Sequence, residues 1–227
     1  MIKPFDYLKS LEIIESEVLE AIARVLRSGQ LILGPETRTF EDEFASFVGA
    51  AYAVGVSSGT TAIHLALMAL EIGPGDEVIT VANTCAPTIA AIRLTGATPV
   101  FVDVRESDLM MNTELVRSAL SERTRAIDLD AIMELASAHD VPVVEDCAQA
   151  HGTMYRGRHV GTFGAMGCFS FYPTKNIGGY GDAGAIVTSD ESLADRLRSI
   201  RMYGYDANAA SQHEGTNARI AEIQSAI

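Results

Sequence analysis

From Tyr52 onward the chain alternates short apolar runs with segments of helical period, and that order leaves few architectures open. Tyr52 to Val56 reads as a buried strand, Ser57-Ser58-Gly59-Thr60 as a turn, and Thr61 to Leu70 as a helix. Gly73-Pro74-Gly75-Asp76 turns the chain into a strand over Glu77 to Val81. A helix over Pro87 to Leu94 leads through Thr95-Gly96 to a strand over Pro99 to Asp103. Helical spacing returns over Thr113 to Leu120 and Leu129 to His139, followed by a strand over Val141 to Glu145. Two amphipathic helices, Leu11 to Leu26 and Thr37 to Val48, precede this pattern and stop at Ser28-Gly29 and Gly49. Strands alternating with helices predict an α/β fold: a mainly parallel sheet, helices on both faces, and ligands at the carboxyl ends of the strands.

One place resists the pattern. A crossover helix must return to the sheet, so a strand is expected between the helices around Leu115 and Ile132. Only Thr124 to Ile127 is available, Asp128 follows at once, and the expectation is of a missing strand near 127–128. The chain also stops at Ile227 within an apolar-periodic helix, as if further sequence were absent. About half of the 227 residues are apolar, enough for a sizeable core. Residues 1–30 read as an N-terminal helical segment and residues 31–227 as one large domain.

Lys+Arg 17 against Asp+Glu 30 gives a net charge of −13, which argues against a nucleic-acid groove or an anionic membrane surface. A phosphate held locally by backbone N–H groups stays compatible with it. Cys85, Cys147 and Cys168 match neither a disulfide framework nor a zinc site, and buried thiols in a reducing compartment are expected. Asp6, Glu12 and Glu15 interrupt any apolar run at the N-terminus, and no stretch has the length of a membrane span. A cytoplasmic protein is expected.

Three segments carry candidate chemistry. Ser57-Ser58-Gly59-Thr60-Thr61 is a small-residue turn opening a helix, which serves either as a plain N-cap or as a phosphate cradle. Asp146 follows an apolar strand directly, which places an acid at the ligand end of the sheet or at a surface turn; Gln149 and His151 lie just beyond it. Cys168 to Gly179 runs from an apolar strand through Tyr172-Pro173-Thr174-Lys175 into glycines, presenting one lysine on a constrained turn. A lysine amine can form a Schiff base with a carbonyl; an ordinary surface lysine fits the same segment read alone.

Taken together, Ser57-Ser58-Gly59-Thr60, Glu145-Asp146-Cys147-Ala148-Gln149-Ala150-His151-Gly152 and Ser170-Phe171-Tyr172-Pro173-Thr174-Lys175-Asn176 resemble the DegT/DnrJ/EryC1/StrS family of sugar aminotransferases, which use pyridoxal 5′-phosphate. Ser28-Gly29 with Gly34-Pro35, Ala82-Asn83-Thr84 and Gly215-Thr216-Asn217-Ala218-Arg219 extend the likeness over nearly the whole chain. The resemblance implies the large domain of a fold-type-I enzyme. It implies that Lys175 holds the cofactor as a Schiff base and moves the substrate proton, and that Asp146 pairs with the ring nitrogen. Gln149 would bond the cofactor's phenolic oxygen, and Ser58, Gly59, Thr60 and Ser170 would hold its phosphate. Asn217 would reach the phosphate of a neighbouring subunit's cofactor, so a homodimer with shared sites is implied. Cys85 stands where many relatives carry an aromatic residue stacked on the ring; a thiol lacks that area, so the ring face would be covered differently. Relatives also continue into a smaller C-terminal domain, which the resemblance implies is absent here. The implied reaction moves an amino group from an amino acid, glutamate by likeness, to a keto group of a nucleotide-linked sugar. Sugar dehydratases of the same family carry histidine in place of the lysine and fit less well; a truncated, non-catalytic paralogue is the alternative of another class.

Overall fold

The computed structural model describes residues 6–121, 131–206 and 208–227. In chain order the elements are α1 (Leu8–Ser28), α2 (Pro35–Val48), β1 (Tyr52–Val56), α3 (Gly59–Ala69), β2 (Glu77–Val81), α4 (Ala86–Leu94) and β3 (Thr98–Val102). There follow α5 (Thr113–Ala119), α6 (Ala131–Ala138), β4 (Val144–Asp146), β5 (Met154–Tyr155), β6 (Arg158–His159), β7 (Met166–Ser170), β8 (Gly184–Thr188), α7 (Glu191–Ile200) and α8 (Glu222–Ala226).

Side-chain alternation along the central strands builds a core on each face of the sheet. Val54, Val56, Met166, Cys168 and Ile186 join Leu65, Leu67 and Leu197 of α3 and α7 on one face. Ala53, Phe169, Ala185 and Val187 meet Phe44 and Ala45 of α2 on the other. Strands β7 and β8 are buried at every position, as expected of strands covered on both sides.

The sheet is mixed, with β1, β4 and β7 running in one direction and β8 against them. Its four-stranded part runs β1-β8-β7-β4, with β4 parallel to β7 and β8 antiparallel to both its neighbours. Strand β8 returns from β7 through a loop that carries no helix, and without a crossover a returning strand pairs antiparallel. Strands β2 and β3 form a separate parallel pair, as the helix α4 between them requires. Among the described residues no ladder joins this pair to the four-stranded part. The expected missing strand near 127–128 lies outside the described residues.

Strand β4 is shorter than its apolar run suggests. Pro142 has no N–H for a ladder, and the Val141 N–H closes the end of α6 on the Ala136 carbonyl at 2.9 Å. Pairing therefore begins only at Val144 and ends on Asp146, opposite Cys168. Buried carboxylates tie distant parts of the chain together. Glu222 accepts from the N–H groups of Gly34, Glu36 and Thr37 at 2.7, 2.6 and 3.3 Å, closing the start of α2 where helix N–H groups have no acceptor of their own. Glu145 accepts from Gly161, Phe163 and Gly164 at 2.6–2.7 Å. Glu41 pairs with Arg201 at 2.5 Å while both groups bond the backbone of Gly55 in β1.

Candidate active site

The carboxyl ends of β1, β4 and β7 converge on a cleft of about 490 Å³, between the start of α3 and the start of α4. Ser58 closes the first turn of α3: its Oγ accepts from the Thr61 N–H at 3.1 Å. The N–H groups of Gly59 and Thr60 follow the cap and have no i−4 acceptor, so the positive end of the helix opens into the cleft. Position 59 must be glycine for packing reasons, since a Cβ there would lie 2.6 Å from the Ser170 Cβ. That close approach brings the Ser170 hydroxyl of β7 to the same helix start. The cap and the cradle are thus compatible: Ser58 is engaged in capping while its neighbours present N–H groups to the cleft.

Asp146 enters from the opposite wall and is held at both oxygens. Its Oδ2 accepts from Thr88 Oγ1 at 2.7 Å, and its Oδ1 from the Ala148 N–H at 3.2 Å. Gln149, three residues beyond Asp146, lines the same cleft. Lys175 reaches it from the turn after β7, where its own N–H bonds the Tyr172 carbonyl at 2.8 Å. Gly178 packs under that turn, and a Cβ there would lie 2.4 Å from the Pro173 carbonyl oxygen. The lysine is thus presented by a turn with little freedom to move.

Cys85, exposed at the N-cap of α4, lines the cleft without capping the helix. Cys168 is buried beside Asp146 and Glu145; burial above all, then those two charges, pushes its thiol well above the ordinary value. His151 lies behind the cleft against the rings of Phe169 and Phe171, at 5.4 and 5.2 Å. Both its ring nitrogens are buried without a hydrogen-bond partner. Burial depresses its pKa to about 4; the Ser170 backbone, short of hydrogen-bond geometry, opposes the shift and the Lys175 charge adds to it.

The cleft therefore brings together Ser58, Gly59, Thr60, Cys85, Asp146, Gln149, Ser170 and Lys175 from four separate stretches of sequence. Asn217 is not among its lining residues. It lies on the segment after α7, bridged to Met202, with its Oδ1 accepting from Arg219 Nε at 2.9 Å. Thr88 and Asp182 line the cleft without having been singled out by the sequence, and Thr84 and Tyr172, quoted within the motifs, line it without having been given a role. Thr84 precedes α4 and Thr88 lies in its first turn, and their contact forms only once the turn before the helix is placed.

Comparison with known proteins gives the same reading. The profile of the DegT/DnrJ/EryC1/StrS aminotransferase family matches residues 12–227. The chain is 45% identical over 234 aligned residues to a dTDP-3-amino-3,4,6-trideoxy-alpha-D-glucose transaminase of Micromonospora megalomicea, covering 98% of this chain and 63% of that protein. It is 41% identical to a UDP-2-acetamido-2-deoxy-3-oxo-D-glucuronate aminotransferase of Pseudomonas aeruginosa, covering 94% and 62%. Among solved structures it superposes on DesV of Streptomyces venezuelae, determined with a ketimine intermediate, with a TM-score of 0.93 at 46% identity, over 97% of this chain and 62% of that one. An aminotransferase from Brucella abortus gives a TM-score of 0.94 at 32% identity, over 100% and 66%. The chain thus spans a little under two thirds of the length of the curated relatives it matches. On the strength of the family profile, and of the fold it shares with these structures, the chain belongs to the DegT/DnrJ/EryC1/StrS aminotransferase family.

Proposed function

We propose that this chain carries the cofactor-binding core of a pyridoxal 5′-phosphate-dependent aminotransferase acting on a nucleotide-linked ketosugar. The observation that carries the reading is the convergence of Lys175, Asp146 and the open start of α3 on one cleft. Those residues fit the cofactor's three recognisable groups. A lysine amine matches its aldehyde, a carboxylate matches its ring nitrogen, and helix N–H groups with a hydroxyl match its phosphate. The approach of Gly59 to Ser170, too close for a Cβ, sets the Ser170 hydroxyl beside the helix start.

When bound, the cofactor supplies an electron sink for the negative charge left as a substrate Cα loses its proton. Lys175 Nζ would attach it and carry that proton. Asp146 would keep the proton on the ring nitrogen, and Gln149 would hold the phenolic oxygen. Gly59, Thr60 and Ser170 would anchor the phosphate, with Ser58 fixing the helix start beneath it. Cys85 lines the wall where relatives are expected to stack an aromatic ring; its small side chain leaves that wall open. The amino donor is an amino acid, glutamate by family likeness, and the sugar assignment is supported by the names of the relatives. Asn217 lies outside its own chain's cleft, which supports a homodimer in which it serves the neighbour's phosphate. Among the described residues no helix is long and apolar enough to cross a membrane, and we assign the protein to the cytoplasm on its cysteine usage.

The chain has three lysines, Lys3, Lys9 and Lys175, which makes the test simple. Purified protein incubated with pyridoxal phosphate is reduced with borohydride, digested and mapped by mass. The expected adduct is on the Lys175 peptide, with a visible band in the unreduced protein that shifts on adding glutamate. A colourless protein, or an adduct confined to Lys9 or Lys3, defeats the reading.

A further inference from the structure

We propose that Thr88 is the positioning residue for Asp146, and that Thr84 backs it, so that a hydroxyl chain from α4 sets how the ring-binding carboxylate faces the cleft. The proposal rests on the functional reading above and deepens it. Thr88 is 8% exposed and its Oγ1 lies 2.7 Å from Asp146 Oδ2. A carboxylate only accepts, so the single Thr88 proton is committed to Asp146. Thr84 Oγ1 lies 2.9 Å from Thr88 Oγ1, where either atom alone could be the donor. With the Thr88 proton committed, Thr84 must donate. The chain has one direction, Thr84 to Thr88 to Asp146, and each bond polarises the next.

The other oxygen of Asp146 is fixed by the Ala148 N–H at 3.2 Å, so the plane of the carboxylate is set from two sides. Thr88 is not needed where it stands for capping: the N-cap of α4 is Cys85, which makes no side-chain cap bond. Behind the two threonines and Asp146 is a second hollow of about 210 Å³, walled mainly by aliphatic groups such as Ile63, Leu67, Val78 and Ile79. Thr84, Thr88 and Asp146 line both spaces and form the polar partition between them. With an apolar hollow at its back, Asp146 draws its orientation from the Thr88 hydroxyl and the Ala148 N–H. The bond also spans 58 positions of sequence, tying the helix that follows β2 to the end of β4.

The test compares Thr88→Val, which keeps shape and removes the donor, with Thr88→Ser, which keeps the donor, and with Thr84→Val. Crystal structures of the cofactor-free variants give the first readout. Asp146 is expected to turn away in Thr88→Val and to hold its orientation in Thr88→Ser. In the loaded protein, kcat is expected to fall about 10- to 30-fold in Thr88→Val with KM for the amino donor nearly unchanged, and about 2- to 5-fold in Thr84→Val. The 15N resonance of ring-labelled pyridoxal phosphate is expected to move toward the unprotonated position in Thr88→Val and to return in Thr88→Ser. An unmoved Asp146 in Thr88→Val overturns the proposal, as does a serine variant that behaves like valine. Should the wild-type protein bind no pyridoxal phosphate, the aminotransferase reading fails while the crystal comparison still decides the role of Thr88.

Discussion

Asp146→Asn keeps the shape of the side chain and removes its charge. Thr88 would still find an oxygen acceptor, so the change isolates the counter-charge offered to the ring nitrogen. Turnover is expected to fall about 100-fold, equivalent to about 3 kcal/mol at the transition state, while borohydride still traps the cofactor on Lys175. Steady-state kinetics alongside peptide mapping checks both halves, and wild-type turnover would assign the role to another group. His151 predicts a pH effect on stability. Its folded pKa of about 4 lies below the ordinary value of 6.5, so the unfolded chain takes up a proton that the native one refuses. Stability should be unaffected above pH 6.5 and decline as the pH falls toward 4, by at most about 1.4 kcal/mol per pH unit. Thermal melting of His151→Gln should be measurably flatter over that window than wild type; equal slopes would place the effect elsewhere. At this scale the sequence made legible the cleft-lining residues whose setting is local: the turn before α3, the acid ending a strand, the lysine between proline and glycines. Thr88 escaped because its role exists only once residue 146 stands beside it.

Helix α2 begins at Pro35, and its first N–H groups are satisfied by Glu222 of α8, which also accepts from Thr37 Oγ1 at 2.6 Å. Glu222→Gln replaces a buried charged acceptor with an amide that has one oxygen and turns an NH2 toward donors. A loss of about 2–4 kcal/mol is expected, read as a lower urea midpoint with an unchanged slope. An unchanged midpoint would show that α2 draws nothing from this contact. Strands β1 and β2 follow from their apolar runs, and the helix ends at Gly29 and Gly49 from glycines with φ 72° and 73°. Other elements are not legible in the same way. Gly184–Thr188 is a short apolar run after a glycine-rich loop, and periodicity alone cannot tell it from part of a buried helix. Its antiparallel course depends on the loop from β7, which no single segment announces. The early start expected for β4 fails because Pro142 and the closure of α6 remove its donors, a competition that becomes visible only with both elements placed.

Shared active sites would make activity a property of the assembly. On the proposed reading, Asn217→Ala would remove one bond to a phosphate with other donors, at a cost of about 1–3 kcal/mol, whereas Lys175→Ala should be nearly inactive. If Asn217 acts across the interface, a mixed dimer of the two variants has one site with both defects and one with neither. Mixing should then raise activity above the mean of the parents. No gain on mixing, or an active monomer in sedimentation, would confine the site to one chain. The α/β class can be read from the order of segments, yet the order of strands cannot, because it is set by contacts far apart in sequence. Strand β1 finds its ladder in β8, and Glu222 closes on Gly34 across 188 positions. On a ribosome adding about 5–20 residues per second, the start of α2 would wait roughly 10–40 s for its acceptor to be made. Over much of that time an apolar strand leaves the exit tunnel with no edge to join. The start of α2 is thus completed long after it is made, and a chain stalled before residue 184 would be a substrate for the chaperones that bind exposed strands.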